Sequence, residues 1–294
     1  MKFWRFIFFL WTILLLSTIA VAGIIPRGPD MLVSTKWLSD HLPDQNLVLV
    51  QIGPKESEYL EGHIPNARFL PIEKISDERD GLKHELLPVN QLIANLEAIG
   101  ISDNSRVVIY ASNYPTVATR LYWTLDYLGL AKNASLLDGG IAQWKAEKRP
   151  LALDNSVAPA QGTIRVHLHP QVVAKLSEVK AAAATKNASL IDSRPEKRYS
   201  EGHIPGAISL YWQQTVPPDS LNGFNSEKEI RKAYEKAGIN RRTRIITYCE
   251  TGFQATHAYF TLKQLGYNVK MYDGSFNEWN DVQKLPVVTG DKPR

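Results

Sequence analysis

Cysteine is almost missing from this chain: Cys249 stands alone in 294 residues. One thiol cannot close an internal disulfide, and it cannot build a thiolate cluster around a metal. The Asp, Glu and His residues show no metal-ligand spacing, and there is no phosphate-binding loop. No metal and no cofactor is therefore expected. Excess charge of one sign is also scarce. The formal net charge is +4, and Lys2 and Arg5 carry two of those charges, leaving +2 on the rest. There is no dense basic patch, so a nucleic-acid partner is not expected. Hydrophobic residues make up 44% and charged residues 22%, which excludes a disordered chain, and the length suits two domains.

The N-terminus reads as a targeting segment. Lys2 and Arg5 form a short basic region, and residues 6–20 are apolar apart from Thr12, Ser17 and Thr18. Ala20-Val21-Ala22 before Gly23 has the small-residue pattern of a signal-peptidase site. Residues 1–22 are expected to be a signal peptide, with export to the periplasm. The competing reading is an uncleaved membrane anchor, since residues 6–25 are long enough to span a bilayer. A membrane contact is expected only in that case. With no cysteine near the junction, a lipoprotein is not expected.

The rest of the chain is organised around residues 244–266. The apolar run Ile245-Ile246-Thr247-Tyr248 reads as a buried parallel strand that ends on Cys249. Glu250 to Gln254 make a short turn, and Ala255, Ala258, Tyr259, Leu262 and Leu265 then repeat at helical spacing. A lone thiol at the carboxyl end of a strand, in a turn that opens a helix, lies at the edge where parallel α/β sheets bind ligands. Turn N–H groups and a helix N-terminus favour an anion, so this setting is expected to lower the Cys249 pKa and hold a nucleophilic thiolate. Glu250 pulls the other way. The plain alternative is a small buried core residue.

The sequence repeats itself with a period of about 140 residues, the size of a domain. Glu61-Gly62-His63-Ile64-Pro65-Asn66-Ala67 recurs as Glu201-Gly202-His203-Ile204-Pro205-Gly206-Ala207. Arg106-Val107-Val108-Ile109-Tyr110 matches Arg244-Ile245-Ile246-Thr247-Tyr248. Leu137-Asp138-Gly139-Gly140 with Trp144 matches Tyr272-Asp273-Gly274-Ser275 with Trp279. Each unit reads as helix (35–42 and 170–185), strand (47–52 and 189–192), Gly-His-Ile-Pro turn, short strand (67–70 and 207–210), helix (89–99 and 227–237) and central strand. A further helix, a last strand and the Asp-Gly turn follow. Strands alternating with helices imply an α/β fold: two tandem domains, each a parallel sheet flanked by helices on both faces. The expected domains are 31–153 and 166–289, joined by a linker at 154–165 that contains Pro159 and Gly162.

Taken in order, these motifs resemble a tandem-domain rhodanese, a sulfurtransferase of the thiosulfate or mercaptopyruvate type. The opening Val33-Ser34-Thr35-Lys36-Trp37-Leu38, both Gly-His-Ile-Pro turns, both Asp-Gly turns and the Cys249 loop carry the resemblance, which covers residues 32–289. It implies double-displacement sulfur transfer. The thiolate takes the outer sulfur of a small anionic donor as a persulfide, and a thiol or cyanide acceptor removes it. The resemblance also implies that the loop Glu250, Thr251, Gly252, Phe253, Gln254, Ala255 cradles the persulfide with its amides, with Gly252 permitting the turn. Arg198 is the implied ligand of the anionic donor; the alternative for it is a solvated helix residue. Asp192 and Arg194 are expected to form a buried supporting ion pair. Thr251 stands where the animal thiosulfate enzymes have lysine and the mercaptopyruvate enzymes serine, and some bacterial thiosulfate-type loops also have threonine there. Thiosulfate is the expected donor ahead of mercaptopyruvate. Glu250, and Gln254 where the family often has arginine, make this loop less cationic than usual.

The first unit is expected to be catalytically inactive. Ala111 stands in place of Cys249, Gln51 in place of the aspartate, and the loop 112–116 is one residue longer and contains Pro115. His63 and His203 are expected as structural turn residues, and His257 as a packing or surface residue. Asn133-Ala134-Ser135 and Asn187-Ala188-Ser189 match the glycosylation triplet, a pattern common by chance. A cysteine phosphatase needs arginine six residues after the cysteine, where this chain has Ala255. A non-catalytic binding module or a persulfide carrier is the remaining alternative.

Overall fold

The computed structural model describes residues 30–153, 160–185, 187–218, 220, 222–240 and 242–293. The expected signal segment and residues 154–159 of the expected linker lie outside these. The first half runs β1 (Leu32–Val33), α1 (Thr35–His41), β2 (Leu47–Gly53), α2 (Glu56–Leu60), β3 (Arg68–Pro71), β4 (Ser76–Arg79), β5 (Leu82–Leu86), α3 (Val89–Ala98), β6 (Arg106–Ala111), α4 (Pro115–Tyr127), β7 (Ala134–Leu137) and α5 (Gly140–Ala146). The second half runs α6 (Leu176–Thr185), β8 (Ser189–Asp192), α7 (Glu196–Glu201), β9 (Ile208–Ser209), α8 (Glu227–Lys236), β10 (Ile245–Tyr248), α9 (Phe253–Gln264) and β11 (Val269–Met271).

Beside the two-stranded β4-β5 pair, the described residues form two larger sheets, ordered β1-β7-β6-β2-β3 and β11-β10-β8-β9. Every pairing in them is parallel. Both faces of each sheet are covered, which is why the central strands read as unbroken apolar runs. On β6, Val107, Ile109 and Ala111 pack toward α3 and α4, while Val108 and Tyr110 pack toward Tyr59, Ile141 and Trp144. Ile245 on β10 and Cys249 just after it face α8 and α9, while Ile246 and Tyr248 face α6 and α7. Local signals set the helix starts. Ser34 caps α1 by accepting from Trp37 N, and Ser226 with Glu229 forms a capping box on α8.

Three parts of the chain differ from the sequence reading. The helix expected over 170–185 begins only at Leu176, because Val173 pairs with Met271 and Ala174 N–H donates to Met271 O. Residues 160–165, expected as linker, are a packed strap on the first domain. Ile164 is buried in its core, Gly162 N–H donates to Glu97 O at 2.8 Å, and Arg165 N–H donates to the Asp103 carboxylate at 2.8 Å. A Cβ on Gly162 would fall 1.9 Å from Ile101 O, so the strap lies too close for any other residue. The antiparallel hairpin β4–β5 had no counterpart in the sequence reading. Its strands are short and polar, so no apolar alternation marks them.

The two domains meet along α4 and α9, both of which are buried nearly all round. Tyr122-Trp123-Thr124-Leu125 on α4 matches Tyr259-Phe260-Thr261-Leu262 on α9, so Thr119 corresponds to Thr256 and Arg120 to His257. The hydroxyls of Thr119 and Thr256 are hydrogen bonded at 2.8 Å, where equivalent points of the two domains touch. Asp126 of α4 accepts from Tyr259 at 2.6 Å and pairs with Lys263. Trp123 enters the second domain's core, and Phe224 and Phe260 enter the first's. The first domain's turn is not longer than the second's: Ala111 to Pro115 and Cys249 to Phe253 are equally spaced. The extra residue lies in α4, which has 13 residues against 12 in α9.

Candidate active site

Cys249 follows the last residue of β10 and is 2% exposed. Its Sγ accepts the Gly252 N–H at 3.1 Å, and the Ala255 and Thr251 amides also point at it. Gly252 makes this possible by adopting φ +90°, a left-handed conformation, immediately before α9. The thiol therefore sits in a nest of N–H groups at a helix start, as the spacing predicted. The expected fall in its pKa is a correction. Burial pushes the Cys249 thiol above its ordinary value; the Ala255, Thr251 and Gly252 amides pull it back, and Asp192 pushes it up further. Desolvation wins because the sulfur is enclosed before any donor arrives.

The backbone around the thiol is fixed from the Asp-Gly turn. Cys249 N–H donates to Ser275 Oγ at 3.2 Å, Phe276 N–H donates to Cys249 O at 2.9 Å, and Asn277 N–H donates to Glu250 O at 3.0 Å. Asp273, which opens that turn, is held by the first domain. Arg120 donates to its Oδ1 at 2.5 Å and the Leu86 N–H to its Oδ2 at 3.1 Å. Arg120 also donates to His84 O at 2.6 Å and lies over Phe253. His84, in turn, stands edge-on to Phe253.

Asp192 and Arg194 form a buried pair, with Arg194 Nη2 and Nε donating to the carboxylate at 2.7 and 3.0 Å. Arg194 continues to Gly202 O and to Glu250, and stacks on Phe276 at 3.9 Å. Glu250 carries the main departure from the sequence reading. Its Oε2 lies 3.1 Å from Arg194 Nη1 and 3.4 Å from Arg198 Nη2. The loop acid thus sits between both guanidinium groups. Arg198 is half exposed and also bonds Glu201 at 3.0 Å. These residues line a cavity of about 260 Å³ with Asn280 and Asp281. Thr251 and Gln254 are partly exposed on the turn and first helical turn, and Ala255 is fully buried, its carbonyl accepting from Thr247.

The equivalent place in the first domain has no such chemistry. Ala111 replaces the thiol, Tyr114 replaces Gly252, and Gln51 bridges Tyr110 and Ser112. Asn222 and Phe224 of the second domain close over it. His63 and His203 each stack on a tyrosine at 3.7 Å and hydrogen bond its carbonyl, as structural turn residues do. His257 is buried against Phe224 and Trp212, and burial pulls its pKa down to about 3. Among the described residues no group of three His, Cys, Asp or Glu side chains could hold a metal. Sequence reasoning missed Arg120, His84 and Asp273. They reach the cysteine turn through the interface between the domains, which no local spacing encodes.

A family model described as the rhodanese-like domain matches residues 34–147 and 175–281. A candidate thiosulfate sulfurtransferase of Mycobacterium leprae is 31% identical over 281 residues, covering 89% of this chain and 98% of that protein. The sulfur carrier protein TtuD of Thermus thermophilus is 29% identical, covering 90% and 98%. The solved structure of SseA from Escherichia coli, which belongs to the 3-mercaptopyruvate sulfotransferases, superposes with a TM-score of 0.76 at 28% identity. It covers 83% of this chain and 98% of that one.

Proposed function

The chain belongs to the rhodanese-like domain family, and on that premise we propose that it is a sulfurtransferase with one active site, at Cys249. The observation that carries the proposal is the Cys249 sulfur accepting the Gly252 N–H at 3.1 Å at the start of α9, in a turn whose Ala255 and Thr251 amides also favour its anion. The Cys249 thiolate attacks the outer sulfur of the donor. A new S–S bond forms, and the donor's own bond to that sulfur breaks with its electron pair. Thiosulfate then leaves as sulfite, and mercaptopyruvate as the enolate of pyruvate, which takes up a proton. A thiophilic acceptor, cyanide or a thiol, next attacks the outer sulfur of the persulfide and the Cys249 thiolate departs. The amides stabilise the anionic sulfur at both steps because they are already aimed at it. The test is thiocyanate formation from donor and cyanide, expected for this chain and abolished in Cys249→Ser. Turnover in that variant would contradict the proposal.

The placement of Glu250 supports 3-mercaptopyruvate ahead of thiosulfate, the reverse of the sequence expectation. Its carboxylate already neutralises the arginines that would meet the donor's anionic end. A second negative charge on a donor about 5 Å from that carboxylate costs about 1 kcal/mol in water and about 3 kcal/mol at an effective dielectric of 20. A monoanionic donor avoids that increment. A carrier role passes the same persulfide to a protein acceptor, and the 29% identity to a sulfur carrier protein supports it as a second reading. The basic and apolar N-terminal segment with Ala20-Val21-Ala22 supports export to the periplasm. N-terminal sequencing of the mature protein is expected to begin near Gly23, and an intact Met1 on cytoplasmic material would contradict export.

A further inference from the structure

The duplicated fold supplies an internal comparison. In each domain an aspartate opens the turn that follows the last strand, and in each it accepts a backbone N–H from the other domain. Asp138 accepts from Phe224 at 3.1 Å, and Asp273 accepts from Leu86 at 3.1 Å. The symmetry ends there. Asp273 also receives Arg120, a fully buried guanidinium from the first domain's α4. The residue matching Arg120 on α9 is His257, which stacks on Phe224. Its Nδ1 lies 3.4 Å from the Thr215 hydroxyl, and its buried Nε2 has no hydrogen-bond partner among the described residues. The arginine therefore stands on the side that has the thiol, and its counterpart on the alanine side is an uncharged ring.

We propose that Arg120, contributed by the inactive domain, is a positioning residue for the Cys249 turn. This rests on the sulfur-transfer reading of Cys249. Arg120 bonds the Asp273 carboxylate with Nη1 and the His84 carbonyl with Nη2, tying the β4–β5 hairpin to the Asp-Gly turn. That turn then delivers Ser275 Oγ to the Cys249 N–H and the Phe276 N–H to the Cys249 carbonyl. The cysteine backbone is thus gripped on both sides by a segment whose anchor lies in the other domain. A Cβ on Gly252 would fall 2.8 Å from Arg120 Nη1 and 2.9 Å from Asp273 Oδ1. The glycine that presents its N–H to Sγ is packed directly against the brace. The role of the first domain is then to hold the sulfur and its amide donors in register. Only the planar fork of arginine reaches both acceptors.

The test is single-turnover persulfide formation in the full chain, followed by mass, for Arg120→Ala and Arg120→Lys. The rate at saturating donor is expected to fall ~10- to 100-fold in Arg120→Ala, the scale of a misplaced reacting group. Donor half-saturation is expected to stay near that of the parent, because Arg120 is not among the donor ligands. Arg120→Lys is expected to recover only part of the rate, and millimolar guanidinium to restore Arg120→Ala. If Arg120→Ala does not fold, Arg120→Lys decides, since it keeps the charge pair with Asp273. Parent-like rates in the folded variants, or a loss confined to donor affinity, would overturn the proposal. The rate of Cys249 alkylation by iodoacetamide is expected to fall in the same variants. That readout stands even if no donor loads the parent chain, a result that would count against sulfur transfer and not against the brace.

Discussion

Cys249 sits where two opposing effects meet. Three N–H groups favour its anion, and burial at 2% exposure disfavours it more strongly. The sign of the balance decides how reactivity varies with pH. An acid whose pKa is raised stays protonated through the neutral range, so the thiolate gathers only as pH climbs past the ordinary cysteine value of about 8.5. Cys249 alkylation is expected to accelerate with pH through a midpoint above that value. A stopped-flow pH series measures it, and a midpoint near neutrality would contradict the account. The sequence located the thiol and its turn because strand, glycine and helix spacing all converge on Cys249. It could not weigh burial, which depends on side chains far along the chain.

Between elements, the decisive contact joins α7 to the cysteine turn. Arg198 on α7 and Arg194 before it both reach Glu250, so one carboxylate occupies two cations. Glu250→Gln removes the negative charge while keeping a polar side chain of the same shape. Thiosulfate kcat/KM is expected to rise ~5-fold or more relative to mercaptopyruvate, in line with the charge increment estimated above. Steady-state assays with both donors measure the ratio; an unchanged ratio would show that Glu250 does not discriminate. The resemblance to the rhodanese family implied that Asp192, Arg194, Arg198 and Glu250 belong to one site. The sequence did not show that Glu250 turns toward the arginines, because residues 56 positions apart leave no mark on each other's spacing. Elements with strong apolar periodicity, such as β6, β10, α3 and α8, were legible to within a residue or two. The polar β4–β5 hairpin and the strap at 160–165 were not. Their order comes from packing and backbone hydrogen bonds, and their composition reads as loop.

At the scale of the whole molecule, duplication has left one domain with the thiol and the other with the brace. The repeat itself was plain in the sequence, as were the two parallel sheets it implies. The docking was not. Arg120 and Asp273 are 153 residues apart, and Arg120 lies on a helix with no chemical motif around it. Helices α4 and α9 bury most of the side chains they carry, so the first domain packs directly against the second. The polar links at that seam, Thr119 to Thr256 and Tyr259 to Asp126, fix the approach that an apolar surface alone would leave loose.

The most direct measurement is the intact mass of the purified protein after incubation with mercaptopyruvate or thiosulfate, repeated after adding cyanide. The account predicts a gain of one sulfur on Cys249, larger with mercaptopyruvate, that cyanide removes and that Cys249→Ser never shows. No gain with either donor, from a thiol shown to be free, would contradict it.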